Sequence, residues 1–237
     1  MDVREYGTML GVWAHPDDET YLSAGLMAAA ADAGSRVVCV TATRGEEGSQ
    51  DLDRWPREKM GQVREIELLR CLEVLGVREH QWLDYHDGRC AGVPFEEAVA
   101  KILAVFEDVQ PDSVFTFGPD GMTGHDDHKA ISAWTTRAFE RAAKPGARLF
   151  YATTTPEWAE RYVPTFQRFN VFGPGTPPQT PRAELAVHYE LPDDVMDRKL
   201  RGILEHESQV QGMRDAFGEE FMKESNAVEF FRLAATR

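Results

Sequence analysis

The chain has 237 residues, 42% of them hydrophobic and 28% charged, and a formal net charge of −14. That length and balance fit one sizeable α/β domain with a well-buried core. The acidic balance argues against nucleic acid or an anionic membrane surface as partner, because both need basic patches, but it admits a small anionic substrate held by one or two Arg.

The first apolar run, Thr8 to Ala14, reads as a buried strand, with Pro16 stopping it. His15-Pro16-Asp17-Asp18-Glu19 then forms a tight turn into a helix whose Ala-rich stretch runs from Tyr21 to Ala33 and stops at Gly34. Arg36 to Thr43 is a second buried strand, followed by an acidic loop from Arg44 to Ser49. Arg57 to Leu75 is a helix with Leu68, Leu69, Leu72 and Leu75 as its core stripe. Arg64 and Glu67 fall three apart on it, which by pattern alone is a surface ion pair. A short strand from His80 to Tyr85 ends in His86-Asp87-Gly88, where Asp87 alone is an ordinary turn residue.

Pro94 to Val109 is a helix, and Asp112 to Phe117 is the strand that leads into a loop and then Gly124-His125-Asp126-Asp127-His128. Asp126 to Ala143 continues as a helix. Arg148 to Thr154 is a strand, and Thr155 to Arg168 is a short amphipathic helix whose Trp158, Tyr162 and Phe166 form a packing stripe. Val171 to Pro181, rich in Pro and Gly, is a loop of the kind that covers sites. Glu184 to Leu191 is a strand, and Asp193 to about Gln211 one helix carrying His206-Glu207-Ser208-Gln209. The tail from Met213 bears Phe217, Phe221, Phe230 and Phe231, which pack on the body or on a second subunit; a homo-oligomer is allowed but not required. The alternation of strands and helices favours a mostly parallel sheet with helices on both faces, a Rossmann-like α/β arrangement. One domain spans residues 1–237, with 155–237 as a C-terminal portion over the site.

No charged leader followed by an apolar core opens the sequence, and no run reaches membrane-spanning length. Cys39, Cys71 and Cys90 are three, widely spaced, and without a Cys-x-x-Cys pair. A reducing, cytoplasmic setting is the simplest expectation.

Two clusters carry chemistry. His15, Asp17 and Asp18 stand at the carboxyl end of one strand, and His125, Asp127 and His128 follow another, the position where open α/β sheets bind ligands. Each residue alone has an ordinary role as a core histidine, a helix cap or a loop polar group. Together they form a His/carboxylate set suited to Zn²⁺, and three protein ligands with an open position make a catalytic site. Adjacent turn residues point apart, so Asp17 and Asp18 have separate tasks. A dinucleotide-binding module is disfavoured, because the first strand–helix turn has no Gly-x-Gly-x-x-Gly.

The pair of clusters resembles the LmbE-like, or PIG-L, family of zinc-dependent N-acetylglucosaminyl deacetylases and amidases, which includes enzymes of mycothiol and bacillithiol metabolism. The resemblance runs from about Met9 to about Gln209. It implies His15, Asp18 and His128 as metal ligands, a metal-bound water as nucleophile, and Asp17 as general base. It implies a protonated His125 at the oxyanion, with Asp127 orienting it and raising its pKa. Arg64, in an Arg-x-x-Glu pattern before Leu-Gly, and Asp87 are implied substrate contacts. Two departures stand out: Asp126 replaces a usual Pro, and Thr123 replaces a Tyr that helps the oxyanion in some members. The expected activity is removal of an acetyl group from an N-acylated amino sugar or conjugate, with Zn²⁺, or Fe²⁺, Co²⁺ or Ni²⁺ in its place. The rivals are an amidase for a thiol S-conjugate or other non-sugar amide, and a non-catalytic metal- or nucleotide-binding module.

Overall fold

The computed structural model describes residues 2–172 and 176–237. Among the described residues seven strands form one sheet: β1 (Met9–Trp13), β2 (Val37–Thr43), β3 (Glu79–Tyr85), β4 (Ser113–Phe117), β5 (Arg148–Ala152), β6 (Val187–Glu190) and β7 (Val228–Thr236). Their order across the sheet is β3-β2-β1-β4-β5-β7-β6. The pairs among β1 to β5 are parallel, while β7 is antiparallel to both β5 and β6. The order reverses at β1, with β2 on one side and β4 on the other. This switch point opens a crevice at the carboxyl ends of β1 and β4. β1, β2 and β4 are buried along their whole length, as strands covered on both faces must be.

The helices are α1 (Asp18–Asp32), α2 (Arg57–Leu75), α3 (Phe95–Val109), α4 (Asp126–Ala142), α5 (Pro156–Phe166), α6 (Asp193–Glu205) and α7 (Glu207–Ser225). α1 and α4 both begin at the switch-point crevice, so each delivers a first-turn carboxylate to it. Most boundaries fall within a residue or two of expectation. The helix expected across Asp193 to Gln211 is instead two, meeting at His206, whose backbone (φ −83°, ψ 50°) leaves the helical region as its ring turns inward. The tail is not an appendage: β7 enters the sheet and Phe231 is fully buried in the main core. Leu69, expected in the core stripe of α2, is 47% exposed, because Leu68, Leu72 and Leu75 fill that face. Trp158, Tyr162 and Phe166 pack with Phe172 and Phe221 into a second small cluster, as their spacing implied. Gly173, Pro174 and Gly175 of the expected Val171–Pro181 loop lie outside the described residues. Among the described residues, no helix is long and apolar enough to cross a membrane.

Candidate active site

The turn after β1 is shaped by its own carboxylates. Asp18 Oδ2 accepts hydrogen bonds from the Ala14 N–H (3.2 Å) and the His15 N–H (2.8 Å), folding back over the turn and not capping α1. Asp17 makes no side-chain cap bond either and sits at φ 118°, a conformation costly to a residue with a Cβ. What holds it there is Glu19, whose carboxylate accepts the Asp17 N–H at 3.1 Å.

Across the crevice, His128 in the first turn of α4 stacks flat on Phe117, with ring centroids 4.1 Å apart. Its Nδ1 donates to the Gly121 carbonyl at 2.9 Å, which leaves Nε2 with a free lone pair. Gly121 has to be glycine: its φ is +73°, and a Cβ there would stand 3.2 Å from the His128 Cβ.

These fixed side chains converge. His15 Nδ1 lies 3.1 Å from His128 Nε2 and 3.7 Å from Asp18 Oδ2, and Asp18 Oδ1 lies 3.4 Å from His128 Nε2. Ligand atoms about 2.0–2.1 Å from a tetrahedral Zn²⁺ stand roughly 3.3 Å from each other, so the trio fits such a cation. Burial disfavours charge on His15, but hydrogen bonds to Asp127 and Asp87 and the charge of Asp18 outweigh it and lift its pKa to about 10. Burial, opposed by His15, pushes Asp18 up to about 7. Burial and the positive charge of His15 hold His128 well below its ordinary value, which keeps its Nε2 unprotonated.

His15 is oriented from its other nitrogen. Nε2 meets Asp87 Oδ1 at 3.0 Å and Asp127 Oδ2 at 3.2 Å. Asp127 is fixed in turn by the N–H groups of Gly88 (2.7 Å) and Cys90 (3.0 Å). This corrects the expected partnership of Asp127 with His125. The carboxylate belongs to His15, and what His125 receives from Asp127 is its backbone N–H, at 3.2 Å to Nδ1. With Nδ1 accepting, Nε2 carries the proton of a neutral His125. Burial and the charge of His15 also lower its pKa, outweighing the pull of Asp127. His125 is exposed at the rim, its ring edge-on to His15 at 4.9 Å between centroids.

Arg64 and Asp87 also have partners other than those expected. Arg64 is 4% exposed, and its guanidinium donates to Asp17 Oδ2 (3.0 Å), the Pro16 carbonyl and the Gly45 carbonyl. It therefore faces the base candidate and the loop, not solvent. Gly45 (φ +66°) makes room for it; a Cβ there would lie 2.0 Å from Arg64 Nη1. Asp87 is 7% exposed and accepts the Glu47 N–H at 3.0 Å besides facing His15. Nor does the Arg64–Glu67 surface pair form: Glu67 takes both the N–H (2.7 Å) and the hydroxyl (2.6 Å) of Ser208. Gln209 reaches the Gly48 carbonyl at 3.0 Å, so the Ser208-Gln209 step ties α7 to α2 and to the loop beside the site. Thr123 turns its hydroxyl to His128 Nδ1 at 3.2 Å. Asp126 is 77% exposed at its side chain and pairs with Lys129, so an Asp at this helix start is accommodated in solvent.

Among the described residues three further sets have metal-like spacing, one of them the His15, Asp87 and Asp127 arrangement just described, in which both carboxylates hold the His15 ring by Nε2. His125 can join His15 and His128 in place of Asp18. The Asp18 trio is the better set, because both Asp18 oxygens already face the two ring nitrogens, while His125 Nδ1 is engaged. Glu19, Cys71 and His206 also cluster, at 0%, 0% and 1% exposure. There Thr20 Oγ1 already fills the centre, bonded to Glu19, 3.0 Å from Cys71 Sγ and 3.1 Å from His206 Nε2. That cluster is a hydrogen-bonded support. His206 pairs with Glu19 at 3.4 Å; burial opposes charge on both, yet hydrogen bonds to Cys71 and Glu19 raise the His206 pKa, and the bond to His206 lowers that of Glu19. Nothing in the sequence around Glu19 marks this supporting role, although the residue belongs to the same five-residue turn.

Residues 10–139 match the model of the PIG-L family, described as GlcNAc-PI de-N-acetylase, and so include both clusters. The chain is 31% identical over 236 residues to a 1D-myo-inositol 2-acetamido-2-deoxy-alpha-D-glucopyranoside deacetylase of Saccharomonospora viridis, across 88% of this chain and 87% of that protein. Its fold resembles that of the N,N'-diacetylchitobiose deacetylase from Pyrococcus horikoshii (TM-score 0.67, 20% identity, 98% and 85% of the two chains). It equally resembles a 4-carboxy-2-hydroxymuconate hydratase from Pseudomonas putida (TM-score 0.66, 17% identity, 98% and 97%), so the fold alone does not choose the reaction. With the family model and the longer alignment agreeing over both halves of the site, the chain belongs to the PIG-L family.

Proposed function

We propose that this protein is a metal-dependent hydrolase that removes an N-acetyl group from an N-acetylglucosamine-type amino sugar or conjugate. The observation that carries the reading is the convergence of His15 Nδ1, His128 Nε2 and the Asp18 carboxylate, each aimed by a second partner. Support also comes from the deacetylases named among its relatives. A divalent cation held by that trio, Zn²⁺ by preference and Fe²⁺, Co²⁺ or Ni²⁺ by ligand type, would polarise the amide carbonyl and make water acidic enough to attack it.

The residues divide the remaining work. Asp17 takes the proton of the attacking water and passes it to the leaving amine. Arg64 keeps that carboxylate aimed and opposes the effect of burial, which raises the Asp17 pKa. Asp127 and Asp87 hold His15 by Nε2, so Nδ1 faces the trio. His125, a neutral imidazole with its proton on Nε2, donates that N–H to the oxyanion of the tetrahedral intermediate. Residues 1–237 act as one unit, in which 155–237 wall the site through α5, α7 and β7.

The test is metal content of the purified protein together with amine release from N-acetylglucosamine and its simple glycosides. About one cation per chain and release that a chelator stops are expected. A full complement of metal with no amine released from any N-acetylglucosamine glycoside would refute the sugar reading and favour a non-sugar amide.

A further inference from the structure

The trio has two chemically different sides. On the side of His15 Nε2, Asp87 leads through its hydrogen bonds with Glu46 and Glu47 to a cleft lined by Arg44, Glu46, Glu47, Arg57, Gln62 and His86. On the other side, Asp18 and His128 form the end of an apolar pocket of about 150 Å³. Its walls are Phe117 and Met122 from the sheet and the loop after β4, and Trp158, Phe166, Phe172 and Met213 from the C-terminal portion. Among these, Trp158 and Phe166 stack nearly parallel at 5.8 Å and Phe172 meets Phe166 edge-on, so the far wall is a preformed aromatic surface.

An N-acylated amino sugar has the same asymmetry. The sugar lies on the nitrogen side of the scissile bond and the acyl group on the carbon side. A polyhydroxylated ring is ill suited to the apolar pocket, which ends on Asp18 and His128, so the acyl group is the part of the substrate that enters it. An acetyl group places one methyl there. An apolar cavity near 150 Å³ holds a guest the size of benzene, about six carbons.

We infer that this pocket is an acyl pocket, and that the enzyme is a deacylase for an amino sugar carrying a medium-length acyl chain of about six carbons. The inference rests on the hydrolytic reading above and extends its acyl group beyond acetyl. The reaction balances: the amide C–N bond breaks, the water oxygen bonds to the carbonyl carbon, one water proton passes through Asp17 to the amine nitrogen, the second is taken up by the departing amine, and hexanoate and the ammonium form of the amino sugar leave.

The test compares kcat/KM for the methyl glycosides of N-acetylglucosamine and N-hexanoylglucosamine and for the hexyl glycoside of N-acetylglucosamine, using the metal-loaded full chain. Each methylene fully buried is worth roughly threefold to fourfold, so four of them support a hexanoyl preference of at least about tenfold even when burial is partial. Met213→Trp, which fills the pocket from α7, is expected to lower the hexanoyl-to-acetyl ratio by a similar factor. The ratio is internal to each preparation, so partial loss of folded protein cancels. Acetyl cleaved as well as or better than hexanoyl would overturn the acyl pocket and leave the deacetylase reading intact. A gain confined to the hexyl glycoside would overturn it by assigning the pocket to the aglycone. No amine from any of the three would overturn both readings.

Discussion

Lys199 and Glu229 are both 0% exposed at their side chains and lie 2.8 Å apart. They also repair a helix. Lys199 Nζ donates to the Tyr21 carbonyl at 2.9 Å, the acceptor that a regular α-helix gives to the Gly25 N–H. The Gly25 and Leu26 N–H groups donate instead to the Glu229 carboxylate, at 2.7 and 2.9 Å. The pair thus splices α1, whose first residue is the ligand candidate Asp18, to α6 and β7. Lys199→Met keeps the length of the side chain and removes both Nζ contacts. Breaking a buried pair by deleting one member costs about 3–5 kcal/mol. Two backbone donors still hold the Glu229 anion, which favours the lower end, about 3 kcal/mol. For a chain of this size that corresponds to a loss of roughly 6–12 °C in Tm. Calorimetry at neutral pH, with urea unfolding as a second measure, reads the change. Adding Glu229→Gln to Lys199→Met should cost much less than the sum of the two single variants, with a coupling of at least about 1 kcal/mol. A single-variant loss below about 1 kcal/mol, or strict additivity, would refute the view that this pair holds α1 to the C-terminal portion.

Asp17→Asn should lower turnover about 100- to 10,000-fold while the metal content stays that of the parent; activity within tenfold of the parent would remove Asp17 from the role of base. His128→Ala should lose the bound cation, read by elemental analysis of the purified variant, and retention of a full equivalent would show that the trio is wrongly drawn. Gly45→Ala puts a Cβ at φ +66° and 2.0 Å from Arg64 Nη1. It should cost about 1–2 kcal/mol and reduce turnover by freeing Arg64 from Asp17, and unaltered kinetics would contradict the aiming role of Arg64. His80 bonds Thr41 through Nε2, and burial lowers its pKa to about 4. Its unfolded value is near 6.5, so between these the unfolded chain binds the extra proton. This contribution to stability is complete above about pH 6.5 and falls as pH drops toward 4. The urea midpoint of His80→Gln should vary less across that window, and parallel curves for variant and parent would refute the assignment.

The strand–turn–helix frame and both clusters were readable because their signals are local. β1, β2 and β4 are short apolar runs, and His15, Asp18 and His128 occupy turns where a packed core has no use for them. The second partners were not readable. Asp127 is next but one to His125 in sequence, yet its carboxylate is captured by the Gly88 and Cys90 N–H groups and turned to His15. Arg64 has the spacing of a surface ion pair with Glu67, but α2 turns both inward, one to Asp17 and the other to Ser208. Such choices depend on contacts 37 to 141 residues apart in the chain, which no periodicity encodes. β7 is hidden in the sequence for a related reason. Glu229 interrupts its apolar run, and the carboxylate is acceptable there because it pairs with the buried Lys199 and accepts the Gly25 and Leu26 N–H groups.

The place of β7 has a consequence for the order in which the molecule can be built. β7 runs between β5 and β6, although it follows both of them in the chain. As the chain leaves the ribosome, the first five strands can assemble from the amino end, but β5 then presents a bare edge. β6 emerges with no neighbour to pair with until more than 35 further residues have followed. An unpaired edge of this kind recruits foreign strands. Nascent chains stalled before Val228 should therefore be the aggregation-prone species, and the ones most in need of a chaperone.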